Sequence, residues 1–220
     1  MKWGFCDELL TPAYWAAQAW LSEDKGLYNN FRIGSSLTEE IAACVLGGYG
    51  IPAELGLAAF ERVRTLGYLS GSPPNRKELL KALKRPFEIG SHQVHYRFAK
   101  QKSRYLSEIL EALSSEPPPN GNSREFRNWL LRFKGIGPKT ASWITRNWLS
   151  SDEVAIIDVH IHRAGVHMGV FSDSERLEKN YFLMEERFLR FAAAIKVRPS
   201  MLDAMMWSQM RKVGRLVFRS

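Results

Sequence analysis

Residues 134–139 (KGIGPK) constrain the fold of this chain more than any other segment. They lie between two stretches in which apolar residues recur at intervals of three and four, the pattern of amphipathic helices. Gly135 and Gly137 permit a sharp backbone turn, and Pro138 suits the first position of a helix, where no amide hydrogen is needed. The segment therefore predicts two helices joined by a tight glycine turn.

The rest of the chain also favours helices, separated by Gly, Pro and Asn residues. The side chains expected to cap helices are Thr38, Asn75, Ser123 and Asp158. Further helices are predicted over residues 53–68, 96–113 and 173–195, and from Pro199 onwards. An extended apolar run is predicted at 154–157 and a linker at 117–122. We find no internal repeat and no pair of strands joined by a hairpin turn, so we predict an all-α fold.

The composition is that of a globular protein and excludes several other classes. Of the 220 residues, 45% are hydrophobic and 25% are charged, which excludes a disordered or collagen-like chain. No apolar stretch approaches the roughly 18 residues of a membrane span, and the first residues lack the pattern of an export signal. Cys6 and Cys44 are too few to hold an iron-sulfur cluster, and so few thiols suit a reducing compartment. We therefore expect a soluble, cytoplasmic protein.

The histidines do not indicate a metal site. His160 and His162 are two residues apart on a predicted helix and face different ways, while His92 and His95 have no carboxylate or thiol partners nearby in the sequence. The paired motifs of zinc-dependent deaminases are absent from the sequence. We expect no cofactor, although carbonyl groups of the glycine turn could hold a monovalent cation.

The charge predicts a polyanionic partner. Lys and Arg outnumber Asp and Glu by 31 to 23, which gives a net charge of +8 and a pI near 9.6. Residues 76–104 hold nine basic and two acidic side chains, and residues 123–149 hold six basic and one acidic side chain. The excess positive charge therefore lies in the middle of the chain. A solvated helix face is the alternative explanation for either run alone.

The glycine turn predicts a phosphate site. Without a Cβ at Gly135 and Gly137, the amides at the start of the following helix can face outward, where the helix dipole also favours an anion. A simple helix connection with glycine as the C-cap is the alternative.

A distance argument places Asp158 beside Lys139. The helix after Lys139 rises about 17 Å over 11 residues, and residues 152–157 return by roughly 20 Å in extended form. A helix start beneath Asp158 would keep its carboxylate ionised, while desolvation would lower the pKa of the lysine. An amine next to a fixed anion suits attack on the C1′ carbon of a sugar, with a Schiff base as the product. A salt bridge between two helix ends is the alternative.

The segment 134–165 (KGIGPKTASWITRNWLSSDEVAIIDVHIHRAG) resembles the helix-hairpin-helix, Gly/Pro-Asp superfamily of DNA glycosylases. Together with LTEEIAACVL, YRFAKQKSRYL and YFLMEERFLRFAAAI, it is most similar to the compact prokaryotic 8-oxoguanine DNA glycosylase/AP lyases, over about residues 37–212. The resemblance implies two helical subdomains that flank a DNA-binding cleft. Residues 34–149 would form the central subdomain, and residues 1–33 and 150–220 the second.

The resemblance also implies a role for individual residues. Lys139 would be the Schiff-base nucleophile, and Asp158 would activate it and stabilise the sugar cation. Gly135, Gly137 and His160 would contact DNA phosphates. The remaining candidates are Trp143, Asp203 and Trp207 for the pocket of the flipped base, and Tyr49 for the gap that this base leaves in the duplex.

The resemblance implies a bifunctional enzyme that excises a damaged or modified base, with 8-oxoguanine as the first candidate, and then cleaves the strand by β-elimination. The partner would be double-stranded DNA, bound by a monomer near the nucleoid of a prokaryote. The chain ends in VGRLVFRS and lacks the terminal lysine of the compact family, so another modified base, such as a hypermodified phage base, is an alternative. A helix-hairpin-helix module that binds DNA without catalysis would also fit the glycine turn and the charge, and a helical scaffold for another protein would fit the apolar periodicity.

Overall fold

The computed structural model describes residues 1–25, 31–48 and 50–217, which form ten helices and one two-stranded sheet. The helices are α1 (Pro12–Asp24), α2 (Leu37–Leu46), α3 (Ala53–Thr65), α4 (Arg76–Lys84), α5 (Ala99–Ser115), α6 (Ser123–Leu130), α7 (Pro138–Leu149), α8 (Val159–His167), α9 (Leu177–Ala194) and α10 (Pro199–Val217). The strands are β1 (Phe87–Ile89) and β2 (His92–Val94). The prediction of an all-α fold is confirmed.

Two helix starts that matter for the site are confirmed. Pro138 is the first residue of α7, and Asp158 is the N-cap of α8. Asn75 also caps α4 as predicted, and Glu78 completes a capping box with it.

Other helix boundaries differ from the predictions, and in α2 and α6 the cap is a neighbouring side chain. Ser36, rather than Thr38, accepts the amide of Glu39 at the start of α2. Asn122, rather than Ser123, caps α6. The helix predicted from residue 173 begins only at Leu177, and α1 was not identified in the sequence.

The prediction that no strands pair was wrong for residues 87–94. Strands β1 and β2 are antiparallel, with Phe87 opposite Val94 and Ile89 opposite His92. Gly90, with φ of +61°, and Ser91 form the two-residue turn between them. Gly-Ser is a two-residue hairpin turn signal, although the short segments on either side, FEI and HQV, are only partly apolar.

The chain divides into two compact units. Unit 1 comprises the described residues of Met1–Phe31 and Leu149–Ser220, and unit 2 comprises those of Arg32–Trp148. In unit 1, α1, α8, α9 and α10 enclose one apolar core, in which Trp15 and Phe188 are fully buried. In unit 2, α2 contributes to two cores, one shared with α3, α4 and the β-hairpin and the other with α6 and α7.

Candidate functional site

The turn between α6 and α7 depends on Gly135. This residue has φ of +95°, a conformation that glycine adopts at little cost, and a Cβ there would overlap the ring of Tyr105. Tyr105 lies on α5, so the turn packs tightly against that helix. Gly137 differs, because no atom lies within 4 Å of the place that its Cβ would take. One glycine is needed for the backbone conformation, and the other leaves an open surface.

The same turn leaves backbone donors available. Among the described residues, no acceptor takes a hydrogen bond from the amides of Gly135, Gly137 or Lys139. The first backbone bond of α7 that reaches back into the turn runs from Ala141 N to Gly137 O, at 2.9 Å. Unsatisfied amides at a helix start carry partial positive charge, so this end of α7 suits an anion.

Lys139 lies on the first turn of α7 and is half-buried. Its Nζ is 5.7 Å from the ring centre of Trp143, one helical turn further along, which permits a cation–π contact. A Cβ at Gly47 would lie 3.4 Å from the Trp143 ring, so the indole fits closely against bare backbone. Desolvation by burial lowers the pKa of Lys102, and the positive charge of Lys139 lowers it further.

A buried carboxylate supports α7 from its other end. Glu40 is fully buried on α2, and its Oε2 accepts the amides of Ile33, at 2.7 Å, and Gly34, at 2.9 Å. Its Oε1 accepts Asn147 Nδ2 at 2.7 Å, near the end of α7. Arg146 in turn donates to Asn147 Oδ1. This network was not found from the sequence, because its partners are far apart along the chain.

In unit 1, Asp158 is nearly buried and its two carboxylate oxygens differ. Oδ1 accepts the amides of His160, at 2.8 Å, and Ile161, at 2.9 Å, as the N-cap of α8. No hydrogen bond reaches Oδ2 from the described residues. Because two amides of α8 hold Oδ1 in place, Asp158 combines a fixed orientation with one oxygen available to a further group.

Three side chains hold the extended segment that leads to Asp158. The buried Asp203 accepts the amide of Ile156 at 2.9 Å, and the buried Glu185 accepts that of Ala155 at 3.1 Å. Tyr181 donates its hydroxyl to Ala155 O and accepts the amide of Ile157. Glu185 and Tyr181 were missed in the sequence, since nothing local relates α9 to this segment.

The other predicted residues take different places. His160 is half-buried, and its ring makes no hydrogen bond to the described residues. Trp207 on α10 is 38% exposed, and Arg211 lies over its ring at 4.8 Å. Asp203 is bound to backbone, as described above. Tyr49 lies outside the described residues. The roles predicted for all nine site residues stay predictions.

Neither a metal cluster nor a spanning helix occurs in the described ranges. They bring together no three His, Cys, Asp or Glu side chains that could bind a metal ion. No helix within them is long and apolar enough to cross a membrane. His162 is engaged in the fold, because its Nε2 lies 3.0 Å from Glu175 O and its ring stacks on Phe171.

Two helices joined by a glycine turn with available amides, within an all-α chain, define a protein of the helix-hairpin-helix class. The family model described as 8-oxoguanine DNA glycosylase matches residues 27–197, and the chain belongs to this family.

Two curated relatives are both named 8-oxoguanine DNA glycosylase/AP lyase. The protein of Fusobacterium nucleatum is 27% identical over 122 residues, which cover 50% of this chain and 56% of that protein. The protein of Metallosphaera sedula is 32% identical over 130 residues, which cover 55% of this chain and 60% of the relative. The matches thus span little more than half the length of these relatives.

A solved structure matches over almost its whole length. The 8-oxoguanine DNA glycosylase of Thermotoga maritima has a TM-score of 0.69 and 24% identity, with 98% of this chain and 99% of that chain covered. At this identity, the similarity establishes the fold.

Proposed function

We propose that the protein is a bifunctional DNA glycosylase/AP lyase that flips and excises a damaged or modified base from duplex DNA, with 8-oxoguanine as the first candidate. The observation that carries the proposal is the position of Lys139. Its amine belongs to the first turn of α7, directly after a turn in which the amides of Gly135 and Gly137 have no acceptor among the described residues. Membership of the 8-oxoguanine DNA glycosylase family supports the same reaction.

In the proposed reaction, the neutral amine of Lys139 attacks C1′ of the damaged nucleotide while the bond from C1′ to the base breaks. The base leaves with the bonding electron pair and takes up one of the two amine protons. The sugar ring then opens as its oxygen takes up the other amine proton, which gives an imine between C1′ and Nζ. Loss of a C2′ proton then breaks the bond from C3′ to the phosphate oxygen, and the phosphate leaves with that electron pair. Each step uses groups of the protein and its substrate, and no cofactor takes part.

Asp158 would stabilise the positive charge that develops on the sugar. A carboxylate bound by two amides keeps its orientation without reorganising during the reaction, which is how such groups lower a barrier. Its oxygen Oδ2 is the atom available for this role.

The DNA contacts follow from chemistry and from the family resemblance. The amides of Gly135, Gly137 and Lys139 would bind phosphates, because helix starts favour anions. His160 would contact a further phosphate, as the resemblance to the glycosylase family implies. Trp143, Trp207 and Asp203 would line the pocket of the flipped base, since a base out of the duplex is stacked on flat side chains and read along its edge. Tyr49 would fill the gap in the duplex.

The remaining features of the proposal concern the setting of the reaction. The enzyme would act as a monomer on double-stranded DNA, in the cytoplasm of a prokaryote and near the nucleoid. It would need no metal and no iron-sulfur cluster, and a monovalent cation could bind at carbonyls of the α6–α7 turn.

Borohydride trapping tests the proposal. Reduction of the imine should join the wild-type protein covalently to a duplex that contains 8-oxoguanine, visible as a slower band in a denaturing gel. Lys139→Gln should remove this band while binding to the duplex persists, and Lys179→Gln, at an exposed lysine of α9, should keep it. Trapping that survives in Lys139→Gln would assign the nucleophile to another residue, and absence of trapping in the wild type would favour a DNA-binding module.

A panel of duplexes with different lesions and hypermodified bases would identify the base. We expect the fastest base release from 8-oxoguanine. Faster release of a hypermodified phage base would move the function from repair to defence.

A further inference from the structure

Helix α4 and its C-cap residue carry an exposed face on which four of the five lining residues are cations. Leu79 and Leu83 are buried in the core of unit 2 that contains α3 and the β-hairpin, and Ala82 is also buried. The opposite face forms a shallow groove of about 420 Å³. The groove is lined by Lys77, Leu80, Lys81, Lys84 and Arg85. We call the four cations of this groove the α4 basic face.

The four charges of the α4 basic face lack a protein partner in the described part of the chain. All four side chains are exposed, and within these ranges none of them forms an ion pair or a hydrogen bond through its side chain. The helix has one acid, Glu78, whose Oε2 accepts the amide of Asn75 at the N-terminus. Like charges one turn apart repel each other, so the arrangement slightly lowers the stability of the free protein. An anionic partner would relieve this repulsion.

Both ends of α4 are fixed, so the face is presented on a rigid element. The capping box of Asn75 and Glu78 closes its start. At its end, the guanidinium of Arg62 donates to Ala82 O, Arg85 O and Pro86 O at 2.6–3.0 Å. The same guanidinium lies 3.5 Å from the ring centre of Phe87. A rigid surface loses little entropy when it binds.

The spacing of the charges fits a regular polyanion. Lys77, Lys81 and Arg85 are each four residues apart, which corresponds to about 6 Å per step and about 12 Å in all along the helix. The phosphates of duplex DNA are more closely spaced than these cations, with one negative charge per roughly 1.7 Å of helix axis, so each cation of the face can meet a phosphate. A membrane surface fits less well, because binding helices of that kind place several large apolar residues in the lipid, whereas this face has only the half-buried Leu80 among its cations.

The α4 basic face and the glycine turn are anchored in different cores of unit 2. Leu79 and Leu83 of α4 pack into the core that contains α3 and the β-hairpin. Ile136 of the turn packs into the other core of unit 2, with α6 and α7. We infer that the α4 basic face is a second binding site for the DNA backbone, which contacts phosphates other than those at the turn and raises affinity for undamaged duplex. The inference rests on the proposed function, because it takes DNA as the partner.

The salt dependence of binding to an undamaged duplex tests this inference. Each phosphate contact contributes about 0.9 to the slope of log affinity against log salt concentration. Two paired variants, Lys77→Gln with Lys81→Gln and Lys84→Gln with Arg85→Gln, should each reduce that slope by about 1 to 2, measured by fluorescence anisotropy. The matched control is Lys2→Gln with Lys179→Gln, which removes two exposed charges from unit 1 and should leave the slope within about 0.5 of the wild type.

Circular dichroism of each pair establishes that the variants are folded, and the two α4 pairs report independently of each other. Equal slopes in the α4 pairs and the control would overturn the inference. So would loss of binding to phosphatidylserine vesicles in the α4 pairs with DNA binding unchanged, because the face would then be a membrane site. The salt dependence of binding does not require base excision. If borohydride fails to join the wild-type protein to DNA, the proposed function is refuted. The slopes of the α4 pairs still test whether the α4 basic face binds DNA.

Discussion

The starts of α7 and α8 show two uses of the same helix-end physics. At α8, the carboxylate of Asp158 occupies the first amides of the helix, so the protein supplies its own anion. At α7, Pro138 begins the helix, and within the described chain no acceptor takes the amides of Gly137 and Lys139. The amides at one start fix a charged group of the protein, and those at the other remain available to an anion from outside.

The largest effect on activity should come from a variant of Asp158 that keeps the helix cap and removes the negative charge. Asparagine is also a good N-cap, so Asp158→Asn should change the free energy of unfolding by less than about 1 kcal/mol. It should slow base release by about 100-fold or more, because the charge that stabilises the sugar cation is lost. Asp158→Ala should be equally slow and in addition lose about 1 kcal/mol of stability. Single-turnover base release and urea denaturation measure the two effects, and fast release by Asp158→Asn would remove the carboxylate from the mechanism.

The two glycines of the α6–α7 turn should respond differently to alanine. Gly135→Ala should cost about 3 kcal/mol of stability, because φ is positive there and the new methyl group meets Tyr105. Gly137→Ala should leave stability within about 1 kcal/mol of the wild type, since its surroundings are open. It should still weaken DNA binding, because the methyl group lies where a phosphate would approach. Equal stability of the two variants, or full DNA affinity in Gly137→Ala, would contradict this division.

The end of α7 opposite the turn can be tested at Glu40. Glu40→Gln keeps the shape of the side chain, but one oxygen becomes an amide group that faces donors, either the amides of Ile33 and Gly34 or Nδ2 of Asn147. We expect a loss of about 2 kcal/mol in chemical denaturation, since bonds to a buried charge are replaced by weaker or unsatisfied ones. Asp158→Asn provides the contrast, because its charge is needed for the reaction rather than for the fold. Unchanged stability in Glu40→Gln would refute the supporting role.

The smallest effect concerns Cys44, whose thiol lies 3.7 Å from Glu40 Oε1. Burial raises the pKa of this thiol well above its usual range, and the charge of Glu40 raises it further. The unfolded chain would release this proton near pH 8.5 while the folded chain would keep it, so stability should fall by about 1 kcal/mol per pH unit above that value. Cys44→Ala should lack this part of the pH dependence between about pH 8 and 9.5.

In the native protein a thiol reagent should modify the exposed Cys6 and spare Cys44. Rapid modification of both cysteines would show that the α2–α7 contact opens.

Local physics explains which parts of this structure could be predicted. The starts of α7 and α8 follow from Pro138 and Asp158 themselves, so they were found correctly. The cap of α6 was assigned one residue late, because Asn122 and Ser123 are both good caps and their neighbours in space decide between them.

The side chains that support the two helix starts could not be found in this way. Glu40 and Asn147 are 107 residues apart, and Asp203 is 47 residues from Ile156. Such pairs depend on the packing of whole helices, which periodicity alone does not determine. The hairpin of β1 and β2 is an intermediate case, since its turn residues were visible but its strands are only three residues long.

The order of the chain has a consequence for its synthesis on the ribosome. Helix α1 belongs to unit 1, but its partners come last: Tyr14 bonds to Gln209, 195 residues later, and Trp20 bonds to the carbonyl of Ile195. At about 5–20 residues per second, roughly 10–40 s separate the emergence of the two partners. The intervening unit 2 can fold during this interval. The apolar face of α1 has no α10 to pack against until the end of synthesis, so the association of α1 with α10 is a late step in folding.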